Sequence, residues 1–211
     1  MGGSALESAL CGDARPRLIE TLLWDGAAYP RLPGHLARLA ASAAGLGYAC
    51  DLAAVRAALP APAGAARVRL TLGHGGDAEV TQAALPPARA EWRLALAAAR
   101  LSSADPWLQV KSTRRALYDS SRAALPDGVE ELIFLNERDE VCEGTITNLF
   151  FDRGQGICTP PRACGLLPGV LRAGMIAEGC REELLSAEDL PRVRLWVGNA
   201  LRGLIPAVWR G

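Results

Sequence analysis

Apolar residues along this chain fall into short alternating or continuous runs more often than into helical stripes. Leu18–Trp24 (LIETLLW) reads as a strand, with Asp25-Gly26 as a hairpin signal and residues 27–31 as the returning strand. Residues 33–48 carry the best helical period. Leu36, Leu39, Ala40 and Ala43 share one face, Pro33 suits a first turn, and Gly45 or Gly47 supplies a stop. Residues 52–59 predict a short second helix ended by Pro60. Three strand candidates follow: Ala66–Leu72, Ala78–Ala84 and residues 91–99, with GHGGD (73–77) as the turn between the first two. No helix follows GHGGD, so it is read as a hairpin rather than a phosphate loop, with His74 exposed. The small polar segment 101–107 (LSSADPW) is the expected boundary between a small α+β domain over residues 1–100 and a second domain over 107–211. Residues 1–16, rich in Gly, Ala and Ser, are expected to be a leader or a poorly ordered start.

The second half centres on residues 129–152. Glu131–Leu135 reads as an apolar strand, residues 136–139 as a polar turn, and 140–151 as the strand resumed. Within it, EGTITNLFF sets a carboxylate (Glu143), two Thr and an Asn among residues that should pair in a sheet core. A strand Glu ordinarily lies on a solvated face, because a buried carboxylate is costly unless a cation or good donors meet it. Further on, Pro168-Gly169 stands before the apolar-periodic Val170, Leu171 and Ile176, which predicts a helix start. Open N–H groups at such a start favour an anion. Residues 193–197 predict a last strand, and NALRGLIPA (199–207) closes the pattern.

Composition narrows the class. Half the residues are hydrophobic, enough for a core, and 23 Lys+Arg balance 23 Asp+Glu, which argues against a general binder of nucleic acid or anionic membrane. Six cysteines without a CxxC pair and two isolated histidines write no metal site. No signal-like opening and no apolar run of bilayer length lead to the expectation of a soluble cytoplasmic protein. Taken singly, Arg38 reads as a solvated helix residue, His35 as a structural one, Lys111 in VKSTRRALYD as part of a basic surface, Asn199 as a strand-end residue and Arg202 as a surface charge.

Together, DGVEELIFLN and EGTITNLFF resemble the signature of the class IV aminotransferases, the fold-type IV enzymes of pyridoxal 5'-phosphate (PLP), and the resemblance runs from LIETLLWDG to NALRGLIPA. It implies an α+β fold of two small α/β domains with PLP in the cleft between them, a small-molecule substrate and a homodimer. Arg38, in an H-L-x-R-L pattern, matches the arginine that clamps the PLP phosphate, a task its charged fork suits. Lys111, opening K-S-T-R-R-A-L-Y-D, matches the lysine that bonds the PLP aldehyde; an amine does this reversibly and can then act as a base. Glu143 matches the carboxylate that faces the pyridine nitrogen and keeps the ring protonated, and Asn148 the residue near the ring hydroxyl. Gly169, Val170 and Leu171 match the turn that holds the phosphate opposite the arginine; Leu171 stands where many aminotransferases have Thr. Arg115, Tyr118, Asn199 and Arg202 are candidates for contacts with substrate. Leu171 and N-A-L-R-G are similar to the lyase branch of the family, of the kind fused behind aminodeoxychorismate synthase. That branch turns 4-amino-4-deoxychorismate into 4-aminobenzoate and pyruvate, a step toward folate. The alternatives are an aminotransferase of branched-chain or D-amino acids using the same Lys111, Glu143 and Arg38, and a catalytically idle relative that binds PLP or a synthase partner.

Overall fold

The computed structural model describes residues 15–211, so the expectation for residues 1–16 lies, up to residue 14, outside the described residues. The chain forms two compact units. The first runs to Pro87 and takes in Val110–Arg114; the second comprises Ala88–Gln109 and Arg115–Gly211.

In the first unit, β1 (Leu18–Trp24), β2 (Ala66–Leu72) and β3 (Ala78–Ala84) form an antiparallel sheet in that order, with helix α1 (Leu32–Leu46) against β1. Alternation in β2 buries Ala66, Val68, Leu70 and Leu72, and α1 buries Leu39, Ala43 and Leu46. Pro33 lies in the first turn of α1, where its missing N–H breaks no helical bond, and Gly47 ends the helix at φ 71°. Asp51 caps the short α2 (Leu52–Ala57), accepting from the N–H groups of Ala53 and Ala54. The GHGGD turn joins β2 to β3 as expected. Residues 27–31, expected as a strand, do not pair. Asp25 instead accepts from the N–H groups of Ala27 and Ala28 and turns the chain into α1, which leaves β1 to pair over its whole length with β2, Leu18 opposite Leu72 and Trp24 opposite Ala66.

The second unit is built on one sheet with strand order β10-β11-β4-β5-β6-β7-β8-β9, which the pairing of β10 with β7 closes into a ring of six strands. The strands are β4 (Trp92–Leu96), β5 (Glu131–Leu135), β6 (Val141–Gly144), β7 (Asn148–Asp152), β8 (Cys158–Thr159), β9 (Arg181–Glu182), β10 (Arg194–Asn199) and β11 (Gly203–Trp209). One cluster gathers Leu94, Ile133, Leu149, Phe151, Leu195, Val197 and Ile205. The alternate residues face two smaller clusters. Phe134 packs with Cys142 and Leu166, and Phe150 packs with Leu171 of helix α4 (Val170–Ala177). Helix α3 (Ala116–Ala123) buries none of its residues fully.

Three expectations change here. The strand expected over 140–151 is two strands, β6 and β7, with a turn at residues 145–147, because a buried carboxylate beneath the turn takes up its N–H groups. The chain does not end on a strand at 193–197: β10 is followed by β11, which carries GLIPAVW and pairs both with β10 and, in parallel, with β4. Finally, β4 leaves the N-terminal unit because its partners are β5 and β11, so the units part at residues 87/88 rather than at 101–107, and Val110–Arg114 returns to the first unit. Among the described residues no helix is long and apolar enough to cross a membrane.

Candidate functional site

In the first unit, β1 organises both residues that the family pattern singles out. Lys111 is docked beside it by backbone bonds: Ile19 N–H donates to the Lys111 carbonyl at 2.8 Å, and Thr113 N–H to the Arg17 carbonyl at 2.9 Å. Next along the strand, Glu20 is buried and takes Arg38 in a fork, Nε to Oε1 at 2.9 Å and Nη2 to Oε2 at 2.6 Å. Buried His35 adds Nδ1 to Oε2 at 2.6 Å, one turn of α1 before Arg38. Burial pushes the Glu20 carboxyl up, but the Arg38 charge and the hydrogen bonds from His35 and Arg38 outweigh it and hold the group below the ordinary carboxylate value. Glu20 was not singled out in the sequence, because in LIETLLW it looks like an ordinary strand carboxylate; the His-x-x-Arg spacing of α1 was the available signal.

In the second unit, Glu143 is buried on β6 rather than solvated. Tyr118 Oη donates to its Oε1 at 2.8 Å, and Leu167 N–H to its Oε2 at 3.1 Å. Burial first, then the neighbouring Glu143 charge, push the Tyr118 phenol far up, so it remains a donor. Its ring meets Phe134 edge-on at 5.2 Å. Asn148, opposite Glu143 in the β6–β7 register, donates to the Leu167 carbonyl at 2.9 Å. The segment 167–169 that receives these bonds leads into α4. Gly169 is its N-cap, no side chain caps that end, and a Cβ on Gly169 would sit 2.0 Å from Asn148 Oδ1. Leu171, by contrast, is buried, and its Cδ2 lies where a Cβ on Gly198 would need to be, at 2.6 Å.

The four substrate candidates separate. Arg115 bonds Asp119 at 2.7 Å and the Thr145 carbonyl at 3.3 Å, and lies over the Tyr118 ring. Tyr118 serves Glu143. Asn199 closes its own hairpin: Oδ1 accepts from Leu201 N–H at 3.1 Å and Arg202 N–H at 3.0 Å, while Nδ2 reaches the Ile146 carbonyl at 3.1 Å. Arg202 lies over the Trp92 ring at 5.2 Å. Among the described residues no group of three or more His, Cys, Asp or Glu could hold a metal ion.

Gly144 follows Glu143 because nothing larger fits. A Cβ there would lie 2.5 Å from Thr147 Oγ1 and 2.7 Å from the buried Cδ of Glu131. Gly144→Ala should therefore lower stability by about 1–3 kcal/mol in urea unfolding, the range for overpacking a closed interior. An unchanged midpoint would show that Glu131 can move aside.

The chain matches the amino-transferase class IV family over residues 17–208. A Schizosaccharomyces pombe protein, provisionally named an aminodeoxychorismate lyase, is 31% identical over 176 residues, 79% of this chain and 75% of its own. A Mesorhizobium loti structure, provisionally named an amino-acid aminotransferase, is 44% identical with a TM-score of 0.87, covering 93% of this chain and all of that one. A Mycobacterium tuberculosis structure of a hypothetical aminotransferase in its PLP-bound form shares the fold at 23% identity and a TM-score of 0.78, over 97% of this chain and 84% of its own. With its mixed α/β units, closed sheet and near full-length match, the chain belongs to the class IV aminotransferase family of enzymes.

Proposed function

We propose that this protein is a PLP-dependent lyase that converts 4-amino-4-deoxychorismate to 4-aminobenzoate and pyruvate. The observation that carries the reading is the similarity to the S. pombe protein of that name over most of both chains. Leu171 supports it: at the start of α4 it is buried against Gly198, so this turn offers an anion backbone N–H groups and no hydroxyl.

Each unit carries groups whose chemistry suits PLP: the first a lysine amine for an aldehyde and an arginine for a phosphate, the second a buried carboxylate for a protonated ring nitrogen and an uncapped helix start for a phosphate. When bound, PLP supplies an aldehyde and an electron-withdrawing ring. Lys111 would bond the aldehyde at rest, then take the proton from the amine-bearing carbon of the substrate. Glu143, held by Tyr118 and Leu167 N–H, would keep a proton at the pyridine nitrogen. Arg38 and the N–H groups of Val170 and Leu171 would bind the phosphate, Gly169 giving close approach, and Asn148 would bind the ring hydroxyl. Arg115 would meet a substrate carboxylate, with Asn199 and Arg202 shaping the pocket rim. As the proton leaves carbon, the bond from the ring to the enolpyruvyl oxygen breaks. The ring becomes aromatic, and the departing enol takes up a proton to become pyruvate. We take the enzyme to be a cytoplasmic homodimer serving folate synthesis.

The 44% identity to the M. loti protein favours a second reading, an amino-acid aminotransferase using the same residues. An assay separates the two. Supplied with chorismate, glutamine and an aminodeoxychorismate synthase, the protein should release 4-aminobenzoate and pyruvate in equal amounts with no keto acid added. An aminotransferase needs a keto acid to return its cofactor to the aldehyde. No 4-aminobenzoate, together with rapid amino-group uptake from branched-chain or D-amino acids, would hand the assignment to the second reading.

A further inference from the structure

Besides Glu143, the second unit buries a second carboxylate, one that the family pattern did not mark. Glu131, on β5, has no exposed surface. Its Oε1 accepts from Thr145 N–H at 3.0 Å, Leu132 N–H at 3.2 Å, Arg122 Nη1 at 3.3 Å and the Thr145 hydroxyl. Its Oε2 accepts from Ile146 N–H at 3.2 Å and Thr147 Oγ1 at 2.9 Å. A carboxylate without a proton is an acceptor alone, and six donors converging on its two oxygens offset its burial.

All but two of these donors belong to the turn at residues 145–147, the link from Glu143 on β6 to Asn148 on β7. With the N–H groups of Thr145 and Ile146 committed to Glu131, their carbonyls serve other residues. The Thr145 carbonyl receives Arg115 Nη2, and the Ile146 carbonyl receives Asn199 Nδ2. A peptide group is planar, so fixing the Ile146 N–H also fixes the Thr145 carbonyl of the same peptide unit, the one that receives Arg115. Gly144 lets Glu131 come this close.

We propose that Glu131 is a positioning residue that orients the 145–147 turn and thereby holds Arg115 to meet a carboxylate of the substrate, with Asn199 tying the last hairpin to the same turn. The role of Arg115 in this rests on the reading under Proposed function; the hold of Glu131 on the turn does not. Glu131→Gln keeps the shape but presents an NH2 group where donors already point.

In the cofactor-loaded full chain, Glu131→Gln should speed hydrogen exchange at the Thr145 and Ile146 amides about tenfold, the effect of losing one net hydrogen bond, with β10 amides unchanged. KM for the amino substrate should rise about tenfold with kcat within about twofold and PLP content unchanged. Arg115→Ala should then add little to KM in the Glu131→Gln background, since both act on one contact. Unchanged exchange, an unmoved KM, or fully additive KM effects would each overturn the proposal. Should Glu131→Gln not fold, Thr147→Val removes one donor without stranding a charge and should move exchange and KM in the same direction, about threefold; no movement overturns it. Where the wild type makes no 4-aminobenzoate, the lyase reading falls. The exchange rates, and KM taken from amino-group uptake, then decide Glu131 independently.

Discussion

Lys111→Ala should bring 4-aminobenzoate release down by about a thousandfold or more, because on the proposed reading the amine would bond the cofactor aldehyde and also move the proton at the substrate carbon. The substitution leaves the backbone where it is. Ile19 N–H and the Arg17 carbonyl grip residues 111 and 113 through main-chain atoms, and the bridge between Leu18 and Ser112 needs no lysine side chain. Folding should therefore survive, and loss of activity reads as lost chemistry. Treating the wild type with borohydride should fix the pyridoxyl group to the peptide carrying Lys111, seen by mass spectrometry. A pyridoxyl group on another residue, or a Lys111→Ala enzyme that keeps its rate, would remove Lys111 from the reaction.

Glu20→Ala will cost about 3–5 kcal/mol in urea unfolding of the cofactor-free protein, the typical penalty for breaking a buried charge pair by removing one partner. Arg38 has a side chain only 12% exposed, and His35 is buried too; both would lose the carboxylate that meets them. The pH dependence carries the same signature. In the folded chain Glu20 is held below 4.5, so the stabilisation is complete above that value and drains away as pH falls through the folded value. Acidification below 4.5 should thus destabilise the wild type more steeply than Glu20→Gln, which has no proton to gain there. Arg38→Ala would strand the buried carboxylate, so on the proposed reading weaker PLP binding and lower stability would arrive together. A Glu20→Ala protein within about 1 kcal/mol of wild type would mean the site relaxes and rehydrates.

Segments whose structure is decided by neighbours in sequence were legible in the chain. The helical period and its Pro and Gly punctuation gave α1 nearly to the residue, alternation gave β2 and β3 with their GHGGD turn, and Pro168-Gly169 marked the start of α4. The family pattern also singled out Lys111, Glu143 and Arg38, but not the neighbours that hold Glu143 and Arg38 in the fold. What tertiary structure decided is what depends on a partner far along the chain. β4 looks like its predecessors in sequence, but parallel pairing with β5 and β11 takes it into the other unit, and no local pattern encodes a strand partner more than a hundred residues away. The same holds for the turn inside EGTITNLFF. Periodicity ran through it as one strand, and only a carboxylate 14 residues upstream breaks it in two. Glu20 and Glu131 stand in apolar strands whose pattern says only that one face is buried. Whether a carboxylate can lie on that face depends on the donors gathered opposite it, and those come from α1, α3 and the 145–147 turn after the chain has folded back.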